Sequence, residues 1–270
     1  YDFNRLDERL KELSSLFPKK TLHAIAVKSN PLNAVLKHLS NSGFGAECAS
    51  WGECELALHS GLAANRIVYD SPAKTIEELR CALEAGIVIN MDSFQEWEHV
   101  SHLLEESPSK SRLGLRINPQ SGEGKILSTS VVGTYSKFGI PLLENRDKLL
   151  DLYLAESCLT GIHVHPGSQG CSMDLLLNAV SAVYEFAEAL NKRSLTRFGV
   201  RRITTIDIGG GASIGYRHDE EDFDLKGYVH ALKEKCPRLF SDYQLITEFG
   251  RYVHAHNAAA YSRIESIKIS

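Results

Sequence analysis

Short apolar runs recur along the chain, each closing on a polar or charged residue and each followed by a stretch of helical period. The runs at residues 23–28, 44–49, 66–70, 87–92, 113–118, 161–166, 205–209 and 244–248 predict strands. Between them, residues 32–42, 51–60, 75–85, 93–106, 141–156, 172–191 and 225–236 predict helices. Leu6, Leu10, Leu13 and Leu16 share one helical face and predict a leading helix over residues 4–16. Thr75 followed by Glu78, and Ser93 followed by Glu96, carry the spacing of capping boxes. Strands and helices in this alternation predict an α/β fold, a (β/α)8 TIM barrel, with an open doubly wound sheet as the alternative. The barrel is expected over residues 1–257. The alternating run at 264–269 predicts a strand, so 258–270 is expected to begin a truncated C-terminal β-domain.

Composition adds exclusions rather than chemistry. A chain of 270 residues, 43% hydrophobic, is long enough to bury a large core. A net charge of −4 gives no electrostatic case for nucleic acid or an anionic membrane surface. No apolar run approaches the ~20 residues needed to span a bilayer. The six cysteines lie scattered without a CxxC pair, as reduced thiols in a cytoplasmic protein would. No leader is expected ahead of Tyr1, although an organellar location would follow if a transit peptide had been trimmed.

The residues that end the strands carry the chemistry: Lys28, Glu47, Asp70, Asp92, Arg116, His163 with His165, Asp207 with Gly209, Gly210 and Gly211, and Glu248 with Gly250 and Arg251. In a barrel these meet at one mouth. A lysine at that mouth can serve as an amine nucleophile; taken alone, it reads first as a surface lysine just past a strand. Gly209-Gly210-Gly211 predicts a nest of backbone amides for an anion, or else an ordinary tight turn. Arg251, after the next strand, supplies charge for a phosphate dianion. His163 and His165 share a strand face and read as a ring that stacks on a ligand, a packed core pair or a metal site. No further ligands at metal spacing accompany them, so no metal is expected. His254 and His256 are expected to be structural. An amine, a phosphate nest, an aromatic face and a carboxylate are together what pyridoxal 5′-phosphate requires.

Ala26-Val27-Lys28-Ser29-Asn30, the run from Gly161 through His163, His165 and Ser168 to Gln169, Asp207-Ile208-Gly209-Gly210-Gly211 and Glu248-Phe249-Gly250-Arg251 occur in this order. So do Gly45-Ala46-Glu47-Cys48-Ala49-Ser50 and Ser136-Lys137-Phe138-Gly139. This ordered set resembles the fold-type III, pyridoxal phosphate-dependent diaminopimelate, ornithine and arginine decarboxylases, whose barrel is alanine racemase-like. Gly167-Ser168-Gln169 leans toward the diaminopimelate branch. The resemblance implies Lys28 as the Schiff-base lysine, Glu47 near the ring, His165 stacked on it and Glu248 at the pyridine nitrogen. It assigns Ser168, Gly210, Gly211 and Arg251 to the phosphate, and Gly209, Gly250 and Arg116 are expected among the cofactor-binding residues. Two departures stand out: Phe249 where the family has proline, and Pro166 where it has an aliphatic residue.

The resemblance further implies an amino-acid substrate, decarboxylated at its α-carbon, and a homodimer with shared active sites. It implies that a β-domain supplies an acidic substrate motif, a cysteine proton donor and a late tyrosine, which these 270 residues are expected to lack. These residues alone are therefore expected to hold the cofactor more readily than to turn over substrate. A single-barrel pyridoxal phosphate carrier, a catalytically silent decarboxylase relative and a metal-dependent barrel hydrolase are the competing readings.

Overall fold

Each apolar run becomes a buried parallel strand: β1 (Leu22–Ala26), β2 (Gly45–Cys48), β3 (Ile67–Asp70), β4 (Val88–Met91) and β5 (Leu113–Asn118), then β7 (Leu159–His163), β8 (Thr205–Asp207) and β9 (Gln244–Thr247). A two-residue strand between β5 and β7, β6 (Ile140–Pro141), pairs with β5 and has no counterpart in the sequence reading. The structure, a computed structural model, describes residues 1–122, 132–133, 136–217 and 219–269. β4 pairs with β5 and β1 pairs with β9, so the sheet closes into the expected eight-stranded barrel. Between the strand predicted at 113–118 and the helix predicted at 141–156, residues 123–131 and 134–135 lie outside the described residues.

Strand alternation then builds the barrel interior in layers. Leu22, Ala24, Val68, Val88 and Ile246 form a separate apolar cluster. Gly114 and Gly161 join that level, where a Cβ on Gly114 would lie 3.0 Å from the backbone of Gly161. Two residues further along the same strand faces stand Asp70, Asn90, Arg116, His163 and Asp207, all buried. The register matches Arg116 to His163 and His163 to Asp207, so these charges share one level. A charged layer thus rests on an apolar plug.

The helices pack outside, and their ends follow local chemistry. Asp2 caps the helix Phe3–Leu16 by accepting from the amides of Asn4 and Arg5, while Leu6, Leu10 and Leu13 are buried. The Thr75 capping box is complete in both directions. The Ser93 box is half-formed: Ser93 Oγ accepts from the Glu96 amide, but the Glu96 carboxylate turns to the Asp92 amide and Lys74 Nζ. Buried Lys74 lacks another carboxylate within ion-pair distance among the described residues, which explains the diversion.

Residues 264–269 form no strand. Ile264, Ile267 and Ile269 are 79%, 81% and 93% exposed, and no neighbouring strand offers a ladder among the described residues. An alternating pattern without a pairing partner does not hold a strand. No helix among the described residues is long and apolar enough to cross a membrane.

Candidate active site

The strand ends stop short of the chemistry. β1 ends at Ala26, and Lys28 sits on the 3-10 turn Val27–Ser29, fastened by the Ser29 hydroxyl donating to the Ala26 carbonyl at 2.5 Å. His165 lies two residues beyond β7, and Glu248 follows β9 directly. The β8–β9 ladder nonetheless continues, since the Glu248 amide donates to the Gly209 carbonyl at 2.8 Å. Gly250 lets the next helix approach the lysine turn: a Cβ there would fall 2.7 Å from Ala26 Cβ and from Ser29 Oγ.

Lys28, His165, Ser168, Gly211, Glu248, Gly250 and Arg251 line one cavity of about 480 Å³, a size suited to a small-molecule cofactor. Gly209 and Gly210 lie against His165, and Gly209 takes a positive φ of 66°. A Cβ on Gly210 would lie 2.6 Å from the Glu248 carbonyl, so this turn requires glycine. Arg251 donates to the Tyr216 hydroxyl at 2.7 Å and to Ser168 Oγ at 3.4 Å. Tyr216 lies in the loop after the glycines, a position to which the strand-end pattern gives no signal.

Glu47 and Arg116 do not line that cavity; they belong to the charged layer of the barrel. Glu47 is buried, and its carboxyl accepts a hydrogen bond from the half-exposed Lys28 amine. Burial pushes the Glu47 carboxyl up to about 8, with Lys28 opposing and Glu248 and Asp70 adding to the rise. Burial acts to lower the Lys28 amine, but Glu47, Glu248 and Asp70 outweigh it and hold the amine above its ordinary value. Arg116 donates to Asp70 Oδ2 at 3.0 Å, lies 3.8 Å from Asp92 Oδ1, and stacks over the Phe138 ring at 4.6 Å.

His163 is the centre of this layer. Its Nδ1 lies 3.4 Å from Asp70 Oδ1 and its Nε2 lies 3.5 Å from Glu248 Oε1. Burial opposes its protonation, but Asp70, Glu248 and Asp207 prevail and raise it well above the usual histidine range. Burial would likewise raise the Glu248 carboxyl; His163 and His165 reverse that and hold it ionised. His165 Nδ1 lies 3.0 Å from Glu248 Oε2, and burial lowers its pKa. Asp70 and Asp92 appear among the strand-end residues, but nothing in the sequence joins Asp70 through His163 to Glu248. Nitrogens of His163 and His165 and a Glu248 oxygen lie within 4.8 Å of one another, so the structure adds a carboxylate to the two histidines as a third metal-type ligand.

The residues fit pyridoxal 5′-phosphate. Glu248 Oε1 is buried without a hydrogen-bond partner among the described residues, an acceptor suited to a ring N–H. Gly211, at the end of the glycine turn, and Lys28 line the same cavity. Phe249, in place of the expected proline, is buried beside Phe17 at 6.3 Å and serves the core without removing a group from the cavity. His254 also lines the cavity wall, with Nδ1 at 2.6 Å from the Tyr1 hydroxyl.

The pyridoxal-binding domain of the pyridoxal-dependent decarboxylases matches residues 3–255. The diaminopimelate decarboxylase of Zymomonas mobilis is 32% identical over all of this chain and 64% of its own length. The 2-[(L-alanin-3-ylcarbamoyl)methyl]-2-hydroxybutanedioate decarboxylase of Staphylococcus aureus is 28% identical over 99% of this chain and 66% of its own. The crystal structure of Helicobacter pylori diaminopimelate decarboxylase complexed with L-lysine superposes with a TM-score of 0.82, at 27% identity, covering 95% of this chain and 64% of that one. The chain thus spans about two thirds of the length of these relatives.

Proposed function

The chain belongs to the pyridoxal-dependent decarboxylases through their pyridoxal-binding domain, and from that premise we propose that it serves the α-decarboxylation of an amino acid, diaminopimelate or a related basic amino acid. Its cofactor is pyridoxal 5′-phosphate. The observation that carries the reading is the placement of Lys28, Glu248 and Arg251 on one cavity. When bound, the cofactor supplies an electron sink for the carbanion left by departing CO2.

The chain's own residues divide the remaining work. Arg251, Ser168 and the turn at Gly209–Gly211 would hold the phosphate, and Lys28 would anchor the aldehyde end. Glu47 is the group placed to exchange a proton with Lys28 Nζ. Glu248, kept ionised by His163 and His165, would hold a proton on the ring nitrogen. His165, with its pKa lowered, presents a neutral ring to the cofactor's face. Asp70 and Arg116 fix His163 from behind.

Substrate recognition is assigned to the part of the relatives that this chain does not span, together with a homodimer that shares its active sites. These 270 residues are therefore expected to bind cofactor yet turn over below roughly 1 per second. The test combines CO2 release, assayed across diaminopimelate, lysine, ornithine and arginine, with the ~420 nm absorbance characteristic of this cofactor. Absorbance surviving Lys28→Ala would overturn the lysine assignment. Cofactor bound without CO2 release, when the barrel is joined to the remainder of a full-length decarboxylase, would favour a carrier.

A further inference from the structure

A second cavity, of about 780 Å³, opens at the amino-terminal mouth of the barrel, opposite the site above. Lys19, Lys20, Arg66 and Arg112 line it, and among the described residues no aspartate or glutamate does. None of these four cations forms an ion pair among the described residues, whereas Arg9, Arg80 and Arg201 each do.

The two arginines are partly buried and fixed in place by backbone carbonyls. Arg66 donates to the carbonyls of Gly43 and Phe44, and Arg112 Nη2 donates to the Asn65 carbonyl at 2.9 Å. These bonds orient the guanidinium forks without neutralising them, and each fork retains further N–H donors. Burial, with Arg66 adding like charge, pulls Arg112 below its ordinary pKa. Asp207, the carboxylate that acts on Arg112 electrostatically, lies buried in the barrel interior and forms no ion pair with it among the described residues. Two like charges held together without a counterion are unfavourable, and a dianion that bridges two guanidinium forks relieves them.

We propose that the amino-terminal mouth binds a phosphate-class dianion, held by Arg66 and Arg112 with Lys19 at its rim, as a site separate from the Gly209–Gly211 nest. The blander account, arginines that merely cap carbonyls, leaves the shared cavity and the missing carboxylates unexplained.

The test uses protein saturated with pyridoxal 5′-phosphate, so that the Arg251 corner is filled. Equilibrium dialysis with radiolabelled inorganic phosphate, at ionic strength fixed with chloride, is expected to show one further saturable equivalent per chain. Phosphate at ten times its Kd should raise Tm by about 3 °C. Arg112→Gln should weaken phosphate binding at least tenfold. Because Arg112 also braces Asn65, the exposed Lys19→Gln variant provides a second reading, with binding weakened about twofold to fivefold and the unliganded Tm unchanged. ADP, run in parallel, separates the sources: affinity tenfold above phosphate identifies a nucleotide, and equal affinity identifies free phosphate. No saturable phosphate in the cofactor-loaded protein, or undiminished binding in Arg112→Gln, would overturn the proposal.

Discussion

The interior charged layer, which reaches the cavity through Glu248, and the phosphate corner, which lines it, are built by opposite means. In the layer, Glu47, Asp70, Arg116, His163 and Glu248 are buried side chains that set one another's charge at low dielectric. In the corner, a glycine turn and an exposed arginine offer shape, backbone amides and a solvated charge. The difference separates electronics from anchorage. Substitutions in the layer should change which atoms carry protons, whereas substitutions in the corner should change how tightly a phosphate is held.

Lys28→Ala sits where the two regions meet and should have the largest effect, abolishing the ~420 nm absorbance while phosphate still binds the corner. Arg251→Gln removes a charge-assisted contact and should weaken cofactor binding by about 10- to 100-fold, with the pH dependence of the absorbance unchanged. A shift in that pH dependence would erase the proposed division. Gly210→Ala drives a methyl toward the Glu248 carbonyl, which would lie 2.6 Å away. It should destabilise the chain by about 1–3 kcal/mol, read by denaturant unfolding.

The smallest effect is a slope. Glu47 is raised from its ordinary value to about 8, so between pH 4.5 and 8 the folded chain holds a proton that the unfolded chain has lost. Stability should therefore fall as pH rises through that window, and Glu47→Gln should flatten the fall. A parallel slope in the variant would show that burial of Glu47 does not govern it.

Much of this arrangement is legible in the sequence because barrel strands are short, apolar and regularly interrupted. The eight strand positions follow from that alone, and Lys28, Glu248 and Arg251 follow from their places at strand ends. What escapes is lateral. That His163 bridges Asp70 and Glu248 depends on barrel closure, which sets the ends of β3 and β9 against β7 and which no single segment encodes. Tyr216 reaches Arg251 from a loop without periodicity. Arg116 and Glu47, read as strand-end residues, lie inside β5 and β2 instead and are buried away from the cavity wall. The run at 264–269 shows the converse failure, since period-two alternation is necessary for a strand but does not supply its partner.

The central claim is that the lysine and the anion corner hold opposite ends of one cofactor molecule. Reducing the cofactor-loaded protein with borohydride and mapping the peptides tests it most directly. The account predicts one phosphopyridoxyl group per chain, on Lys28, and its loss when excess phosphate competes at an intact Arg251. A phosphopyridoxyl group on another lysine, or labelling of Lys28 that is indifferent to phosphate, would contradict it.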